Sequence, residues 1–162
     1  MIKVGIGSDI HRLVEGRPLV IGGVRIESEL GAEGHSDADV LSHALCDAIL
    51  GALALDDLGK HFPNDEERWR NAESFIFLRY VVGLMTERGY AIGNVDSTVH
   101  LERPKLGPYI DEIRKGLAEE LGTAVGQISV KAKTSEGVDA VGERRAVRAD
   151  AIVLLESLEF RL

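Results

Sequence analysis

The side chains best suited to chemistry lie in two short segments of the chain. Asp9 and His11 are two residues apart in Gly-Ser-Asp-Ile-His, and His35 and His43 occur in a second, histidine-containing segment. A carboxylate and imidazoles suit Zn²⁺, and three such ligands leave one position open, as a catalytic zinc requires. An isolated Asp-x-His pair is most often a surface feature, but together with the second segment it predicts a metal site.

The first segment is predicted to lie on a strand. Side chains two apart on a strand share a face, so Asp9 and His11 are expected to project together. Apolar residues alternate just before the pair, at Ile2, Val4 and Ile6, and this alternation predicts the strand.

The second segment is predicted to begin a helix. Ser36-Asp37-Ala38-Asp39 has the pattern of a capping box, with Ser36 as the N-cap and Asp39 at the N3 position. His43 would then project from a rigid element towards the end of the strand. His35 would lie just before the cap, where free backbone N–H groups favour an anion.

The remaining patterns predict a single domain over residues 1–162. Further strands are expected over 19–26, 95–101, 128–132 and 146–155, and further helices over 72–88 and 109–121. This order predicts an α/β protein of the two-layer α+β type, with a mixed, mostly four-stranded sheet and helices on one face. The last strand carries apolar residues on both faces, which predicts that oligomerisation covers the second face. These residues are Val147, Ala149, Ala151 and Val153 on one face, and Ile152 and Leu154 on the other.

Composition excludes several classes of function. The chain has 162 residues and a net charge of −8, which argues against nucleic acid or an anionic membrane as the main partner. Cys46 is the only cysteine, so no internal disulfide can form. The sequence has no long apolar span and no signal peptide, and a cytoplasmic location is the expectation.

A set of motifs in a fixed order resembles one enzyme family. The motifs are Asp9-Ile10-His11-Arg12-Leu13, Ile21-Gly22-Gly23-Val24, Gly34-His35-Ser36-Asp37-Ala38-Asp39-Val40, His43-Ala44-Leu45, Asp57-Leu58-Gly59-Lys60, Phe62-Pro63, Asn94-Val95-Asp96, Arg103-Pro104-Lys105 and Lys131-Ala132-Lys133-Thr134-Ser135-Glu136-Gly137. Together they resemble the 2-C-methyl-D-erythritol 2,4-cyclodiphosphate synthase family, lyases of non-mevalonate isoprene biosynthesis. The resemblance runs from the first predicted strand to the last.

The resemblance implies two metal ions. Asp9, His11 and His43 match three zinc ligands, with a substrate phosphate oxygen as the fourth. Glu136 matches a ligand of a second divalent cation, Mg²⁺ or Mn²⁺. His35, Thr134 and Glu136 are the residues to which the resemblance assigns catalytic roles.

The resemblance also implies a cytidine diphosphate substrate bound between the subunits of a homotrimer. His35 and Ser36 match phosphate contacts, and capping alone is the alternative reading of these two residues. The segment that matches contacts to the methylerythritol part contains Asp57, Leu58, Gly59, Phe62, Pro63, Asn64 and Asp65. The segments that match contacts to the cytidine and phosphate parts contain Pro104, Lys105, Leu106, Ala132, Lys133, Thr134, Ser135 and Glu136. No role is matched by His61, His100 or Trp69, which are interpreted as structural or surface residues.

The implied reaction is an intramolecular phosphoryl transfer. The 2-phosphate of 4-diphosphocytidyl-2-C-methyl-D-erythritol 2-phosphate attacks the β-phosphorus, and CMP leaves. The nucleophile is already an anion, so no general base is needed, and metal ions align the groups and neutralise their charge. Two alternatives remain: a metal-dependent phosphohydrolase with the same triad, and a non-catalytic nucleotide- or metal-binding relative.

The chain departs from the family pattern at two places near Glu136. Lys133 replaces the first of three threonines, and Glu143 falls where the family has a phosphate-binding arginine. Arg144 or Arg145 could replace that arginine after a shift of one or two residues, and the sequence alone leaves the choice open.

Overall fold

A mixed five-stranded sheet organises the molecule. It is seen in a computed structural model that describes residues 1–63 and 65–160. The strand order is β4-β1-β7-β5-β6, and β2 and β3 form a separate hairpin. The strands are β1 (Ile2–Val14), β2 (Leu19–Ile21), β3 (Val24–Ile26), β4 (Gly31–Ala32), β5 (Tyr90–His100), β6 (Ile128–Lys133) and β7 (Ala146–Ser157).

The two longest strands pair along most of their length. β1 and β7 are antiparallel, with Ile2 opposite Glu156 and Arg12 opposite Ala146. β5 is antiparallel to β7 and parallel to β6, so the sheet is mixed as predicted. Four strands are long, and the fifth, β4, adds only two residues at one edge. The predicted two-layer class and mostly four-stranded sheet are therefore confirmed.

The three long helices cover one face of the sheet. They are α1 (Val40–Ala52), α3 (Ser74–Glu87) and α4 (Ile110–Leu121), and the four-residue helices α2 (Leu58–His61) and α5 (Asp139–Gly142) lie in connections. The core lies between these helices and the sheet. Its fully buried side chains include Leu41, Leu45, Ile49, Leu78, Val81, Ile113, Leu117, Val99, Val147 and Val153.

Two glycines let α1 pack directly on β1. A Cβ at Gly5 would lie 1.9 Å from the carbonyl oxygen of Ala48, and a Cβ at Gly7 would lie 2.0 Å from that of Ala44. Any side chain at these positions would push the helix away, because the atoms it meets are backbone. The close approach brings the start of α1 next to the residues that follow Gly7 on β1.

The opposite face of the sheet carries exposed apolar residues. Ile6 of β1 is 72% exposed, and Ile152, its partner across the β1–β7 pair, is 47% exposed. Ile2, Val4 and Ile10 of β1 are also more than half exposed. A row of this kind is unusual on the surface of a single folded chain and marks an interaction surface.

Two local predictions are wrong. Residues 19–26 form a two-stranded hairpin rather than one strand, because Gly22 and Gly23 both adopt positive φ (56° and 75°) and turn the chain. Asp39, not Ser36, is the N-cap of α1, and its side chain accepts from Ser42 N. The helix thus begins at Val40, and His43 is its fourth residue.

Candidate metal centre and substrate cavities

Asp9, His11 and His43 converge where β1 meets the first turn of α1. Oδ2 of Asp9 lies 2.8 Å from Nε2 of His11 and 2.9 Å from Nδ1 of His43, and the two nitrogens are 3.2 Å apart. Among the described residues this is the one group of histidine and acidic side chains arranged to hold a metal ion. Alternation along β1 aims Asp9 and His11 at the helix, and the glycines before them let His43 reach them.

The geometry of the triad fits a zinc ion. A tetrahedral ion with bonds of about 2.0–2.1 Å holds its ligand atoms roughly 3.3 Å apart, close to the three observed spacings. One oxygen and two nitrogen donors are a set that zinc accepts. All three side chains are partly exposed to a cavity of about 340 Å³, which leaves room for a further ligand.

The charge of Asp9 is stabilised by its neighbours. Burial raises the pKa of Asp9, but hydrogen bonds from His11 and His43 and the charges of these rings outweigh burial and lower the pKa to about 2. Burial lowers the pKa of His43, and here too the contact with Asp9 prevails, so that the pKa is raised. Asp9 is therefore an anion at neutral pH, as a metal ligand must be.

Asp39 ties the β2–β3 hairpin to the start of α1. Its carboxylate accepts hydrogen bonds from the backbone N–H groups of Gly22 and Gly23, at 2.8 and 2.7 Å, and from the N–H and hydroxyl of Ser42. Burial raises the pKa of Asp39, the charge of Asp37 adds to this, and the four hydrogen bonds oppose it. Asp39 thus fixes the helix end that carries His43.

His35 and Ser36 line the cavity beside the triad. Nε2 of His35 lies 2.9 Å from the carbonyl oxygen of Glu66, and Oγ of Ser36 accepts from Ala38 N. The predicted helix N-terminus does not lie at these two residues, because α1 begins four residues after Ser36 and Asp39 occupies its cap. Their position in the cavity wall is compatible with phosphate contacts, which stay a prediction.

The segment matched to the methylerythritol part lies partly in the same cavity. Leu58, Gly59 and Phe62 belong to its wall. Asp57 caps α2 by accepting from Lys60 N, Pro63 is half-buried and Asp65 is exposed. Asn64 lies outside the described residues.

A second cavity contains residues matched to the nucleotide part. It measures about 1220 Å³, and its wall includes Pro104, Lys105, Thr134, Glu136 and Arg144. Of the other matched residues, Leu106 is buried, Ala132 and Lys133 are exposed, and Ser135 donates its N–H to Glu102. Among the described residues, the two cavities share no part of their walls. One chain therefore does not bring Glu136 and Thr134 to the triad.

The structure distinguishes Arg144 from Arg145. Arg144 has a positive φ of 60° and lines the second cavity, where its guanidinium lies 3.3 Å from Glu29. Arg145 forms a salt bridge of 2.6 Å with Glu143. Of the two arginines, it is Arg144 that lies in the wall of the second cavity, and its contact with an anion there stays a prediction.

Three residues at the first cavity were not predicted from the sequence as site residues. Asp47 and Trp69 belong to its wall, and Ser74 contacts His43 from α3. Asp47 lies four residues after His43, so helical spacing places both side chains on the same face of α1 and could have predicted its position. Trp69 packs edge-to-face on Phe62, with ring centroids 4.9 Å apart, and nothing in its local sequence indicates this. His61 and His100 were interpreted as structural or surface residues. His61 contacts the carbonyl oxygen of Leu55, and His100 contacts the carboxylate of Asp150.

Among the described residues, no helix combines the length and the apolarity that crossing a membrane requires.

Comparisons with known proteins agree along nearly the whole chain. The model of the YgbB family matches residues 2–156. A curated protein of Solibacter usitatus named 2-C-methyl-D-erythritol 2,4-cyclodiphosphate synthase is 53% identical over 96% of this chain and 98% of its own length. A structure of the synthase of that name in a CDP-bound form is 41% identical, with a TM-score of 0.88, over 95% of this chain and 100% of the other. The bifunctional IspDF from Campylobacter jejuni is 34% identical, with a TM-score of 0.93, and the match covers 97% of this chain but 42% of IspDF. Sequence and structure together show that this chain belongs to the YgbB family.

Proposed function

We propose that this chain is a 2-C-methyl-D-erythritol 2,4-cyclodiphosphate synthase. It would convert 4-diphosphocytidyl-2-C-methyl-D-erythritol 2-phosphate to the 2,4-cyclodiphosphate and CMP. The observation that carries this proposal is 53% identity with a protein of that name over 98% of that protein's length. The converged triad supports it independently, since the reaction needs a cation beside two anionic groups.

The proposed metal ions have separate ligands. Asp9, His11 and His43 hold zinc, and Glu136 holds a second divalent cation, Mg²⁺ or Mn²⁺. When bound, the cations withdraw electron density from phosphoryl oxygens and neutralise the charge that develops on them. The low pKa of Asp9 supports the first assignment, and the exposed carboxylate of Glu136 in the second cavity supports the other.

The substrate would bind across the two cavities. His35 and Ser36 contact phosphate beside the triad, and the segment from Asp57 to Asp65 contacts the methylerythritol part. The cytidine and phosphate parts bind at Pro104, Lys105 and Leu106 and at residues 132–136. The CDP-bound relative supports a nucleotide ligand for this family. Because both phosphates belong to one substrate molecule, holding them near each other lowers the entropic cost of closing the ring.

The proposed assembly is a homotrimer with active sites between subunits. Two observations support it: the exposed apolar row on β1 and β7, and the separation of the two cavities within one chain. A neighbouring subunit would cover the open face and bring its Glu136 towards the triad. The cytoplasmic location, the absence of a nucleic-acid partner and a single domain over residues 1–162 stay predictions.

The test is direct observation of the product. The purified chain, with Zn²⁺ and Mg²⁺, is incubated with the cytidyl substrate and followed by phosphorus NMR. Formation of a cyclic diphosphate and an equal amount of CMP is expected. Release of inorganic phosphate, or equal turnover of simple phosphate esters, would instead identify a phosphohydrolase. No turnover by the zinc-loaded protein would identify a binding protein.

A further inference from the structure

Ser74 connects the metal ligand His43 to Asp37. Nε2 of His43 lies 2.8 Å from Oγ of Ser74, and the same Oγ is hydrogen-bonded to Oδ1 of Asp37. Ser74 is fully buried and is the first residue of α3. Its hydroxyl is thus held against α1 by a neighbouring helix.

The direction of these two hydrogen bonds follows from what each group can donate. Both oxygens of Asp37 also face backbone donors, Ser74 N at 3.0 Å and Asp39 N at 3.1 Å, so the carboxylate acts only as an acceptor. The single hydrogen of the Ser74 hydroxyl must then go to Asp37. The remaining partner of Ser74 Oγ is His43, which therefore donates Nε2–H.

Ser74 is better placed than Ser36 to accept the hydrogen bond from Nε2–H of His43. Oγ of Ser36 also lies near Nε2 of His43, but at the longer distance of 3.3 Å, and it accepts a second hydrogen bond from the N–H of Ala38 at 3.2 Å. Short donor–acceptor distances mark the stronger hydrogen bond.

A metal-bound histidine must be neutral, and in a neutral ring with its hydrogen on Nε2 the lone pair lies on Nδ1. Nδ1 of His43 is the atom that faces Asp9 and His11. We propose that Ser74, held by Asp37, is a positioning residue that keeps the hydrogen of His43 on Nε2 and aims Nδ1 at the metal ion. This inference rests on the zinc site of the proposed function. Outer partners of this kind orient metal-binding histidines and fix their tautomer.

The first test compares the zinc affinity of two serine variants. Ser74→Ala is expected to weaken zinc binding by about 10- to 100-fold, the usual effect of losing an outer partner. Ser97→Ala is the matched control: Ser97 is also buried, and its hydroxyl donates to Ser129 O between β5 and β6 rather than to any group of the metal site. Competition of the metal-free full chain with a chromophoric chelator measures both affinities, without reference to turnover.

Two further variants separate positioning from folding. Ser74→Thr keeps the hydroxyl and should restore most of the zinc affinity. Asp37→Asn keeps Ser74 but introduces an amide donor, which allows the hydroxyl to turn towards His43 and should weaken zinc binding. In the zinc-loaded wild-type chain, long-range proton–nitrogen correlation spectra should assign the hydrogen of His43 to Nε2.

The outcomes distinguish this inference from the proposed function. If the wild-type chain bound no zinc, the proposed metal site and this inference would both be wrong. If it bound zinc, but Ser74→Ala bound zinc as tightly as Ser97→Ala and the wild type, the positioning role alone would be wrong. Coordination of zinc by Nε2 of His43 would also overturn it.

Discussion

Single residues set the chemistry of the first cavity. Asp9 supplies a fixed negative charge there, because its hydrogen bonds with His11 and His43 keep its pKa at about 2. The position of His43 depends most on tertiary packing, since His43 lies on α1 and must meet two side chains of β1. Its removal should therefore reveal whether the triad acts as one site.

His43→Ala should lose most of the bound zinc, because two ligands do not hold the ion as three do. Elemental analysis of the purified protein measures the zinc content per chain. His61→Ala is the control, as His61 contacts Leu55 O and Tyr80 and lies outside the triad. A full zinc complement in His43→Ala would contradict the ligand assignment.

Arg144→Ala should weaken binding of cytidine diphosphate by roughly tenfold or more, because a hydrogen bond to a charged group contributes about 1.5–3 kcal/mol. Arg145→Ala should bind it as the wild type does, since Arg145 is not among the residues that line the second cavity. Isothermal titration of both variants decides between the two arginines. A stronger effect of Arg145→Ala would reverse the assignment.

At the scale of elements, the site depends on how closely α1 packs on β1. The carbonyl oxygens of Ala44 and Ala48 occupy the space where side chains at Gly7 and Gly5 would lie. Asp39 then fixes the end of the same helix to the β2–β3 hairpin. The position of His43 is therefore the result of contacts at both sides of α1.

Gly7→Ala should lower the free energy of unfolding by about 1–3 kcal/mol or more, because the added Cβ meets helix backbone and forces α1 outwards. Gly83→Ala is a matched control within α3, where no atom lies within 4 Å of the added Cβ. That substitution should stabilise the chain by about 0.5–1 kcal/mol. Urea unfolding at one protein concentration compares them, and equal stability of Gly7→Ala and the wild type would show that α1 is free to shift.

At the scale of the whole molecule, one chain is incomplete in two respects. Its sheet has an open apolar face, and its two cavities contain different parts of the proposed active site. Both are explained if neighbouring subunits cover the face and join the cavities.

Ile6→Asp should dissociate the proposed trimer, because a charge would be buried at the interface without a partner. Ile6 is 72% exposed in one chain. Ile76→Asp, at an exposed apolar residue of α3, should leave the oligomer intact. Sedimentation velocity at micromolar concentration measures the state of each, and a monomeric wild type would rule out the assembly.

Mixing two inactive variants tests the shared site. His43→Ala removes a ligand of the triad and Lys105→Ala alters the second cavity. In hybrid trimers, a site that takes its triad from a Lys105→Ala chain and its second cavity from a His43→Ala chain has neither defect. Random exchange should restore up to about a quarter of the wild-type activity. Absence of activity after proven subunit exchange would show that each site belongs to one chain.

The parts of the fold and of the site that depend on local periodicity and on strong motifs could be predicted from the sequence. Alternation along β1 placed Asp9 and His11 on one face, because strand geometry allows no other arrangement of residues two apart. The positions of α3 and α4 were also predictable to within two residues at either end, with Gly89 and Gly122 in left-handed conformations after them. The open face of the sheet followed from the apolar residues on both sides of the last strand.

Contacts between residues distant in sequence could not be predicted in this way, because they depend on how the elements pack. Both Ser36 and Asp39 can cap a helix, and Asp39 does so because it also meets the N–H groups of Gly22 and Gly23. Ser74 reaches His43 only because α3 packs beside α1. Of the two arginines, it is Arg144 that lines the second cavity, at a backbone position with positive φ. In each case several residues have suitable chemistry, and packing selects the one that meets its partner.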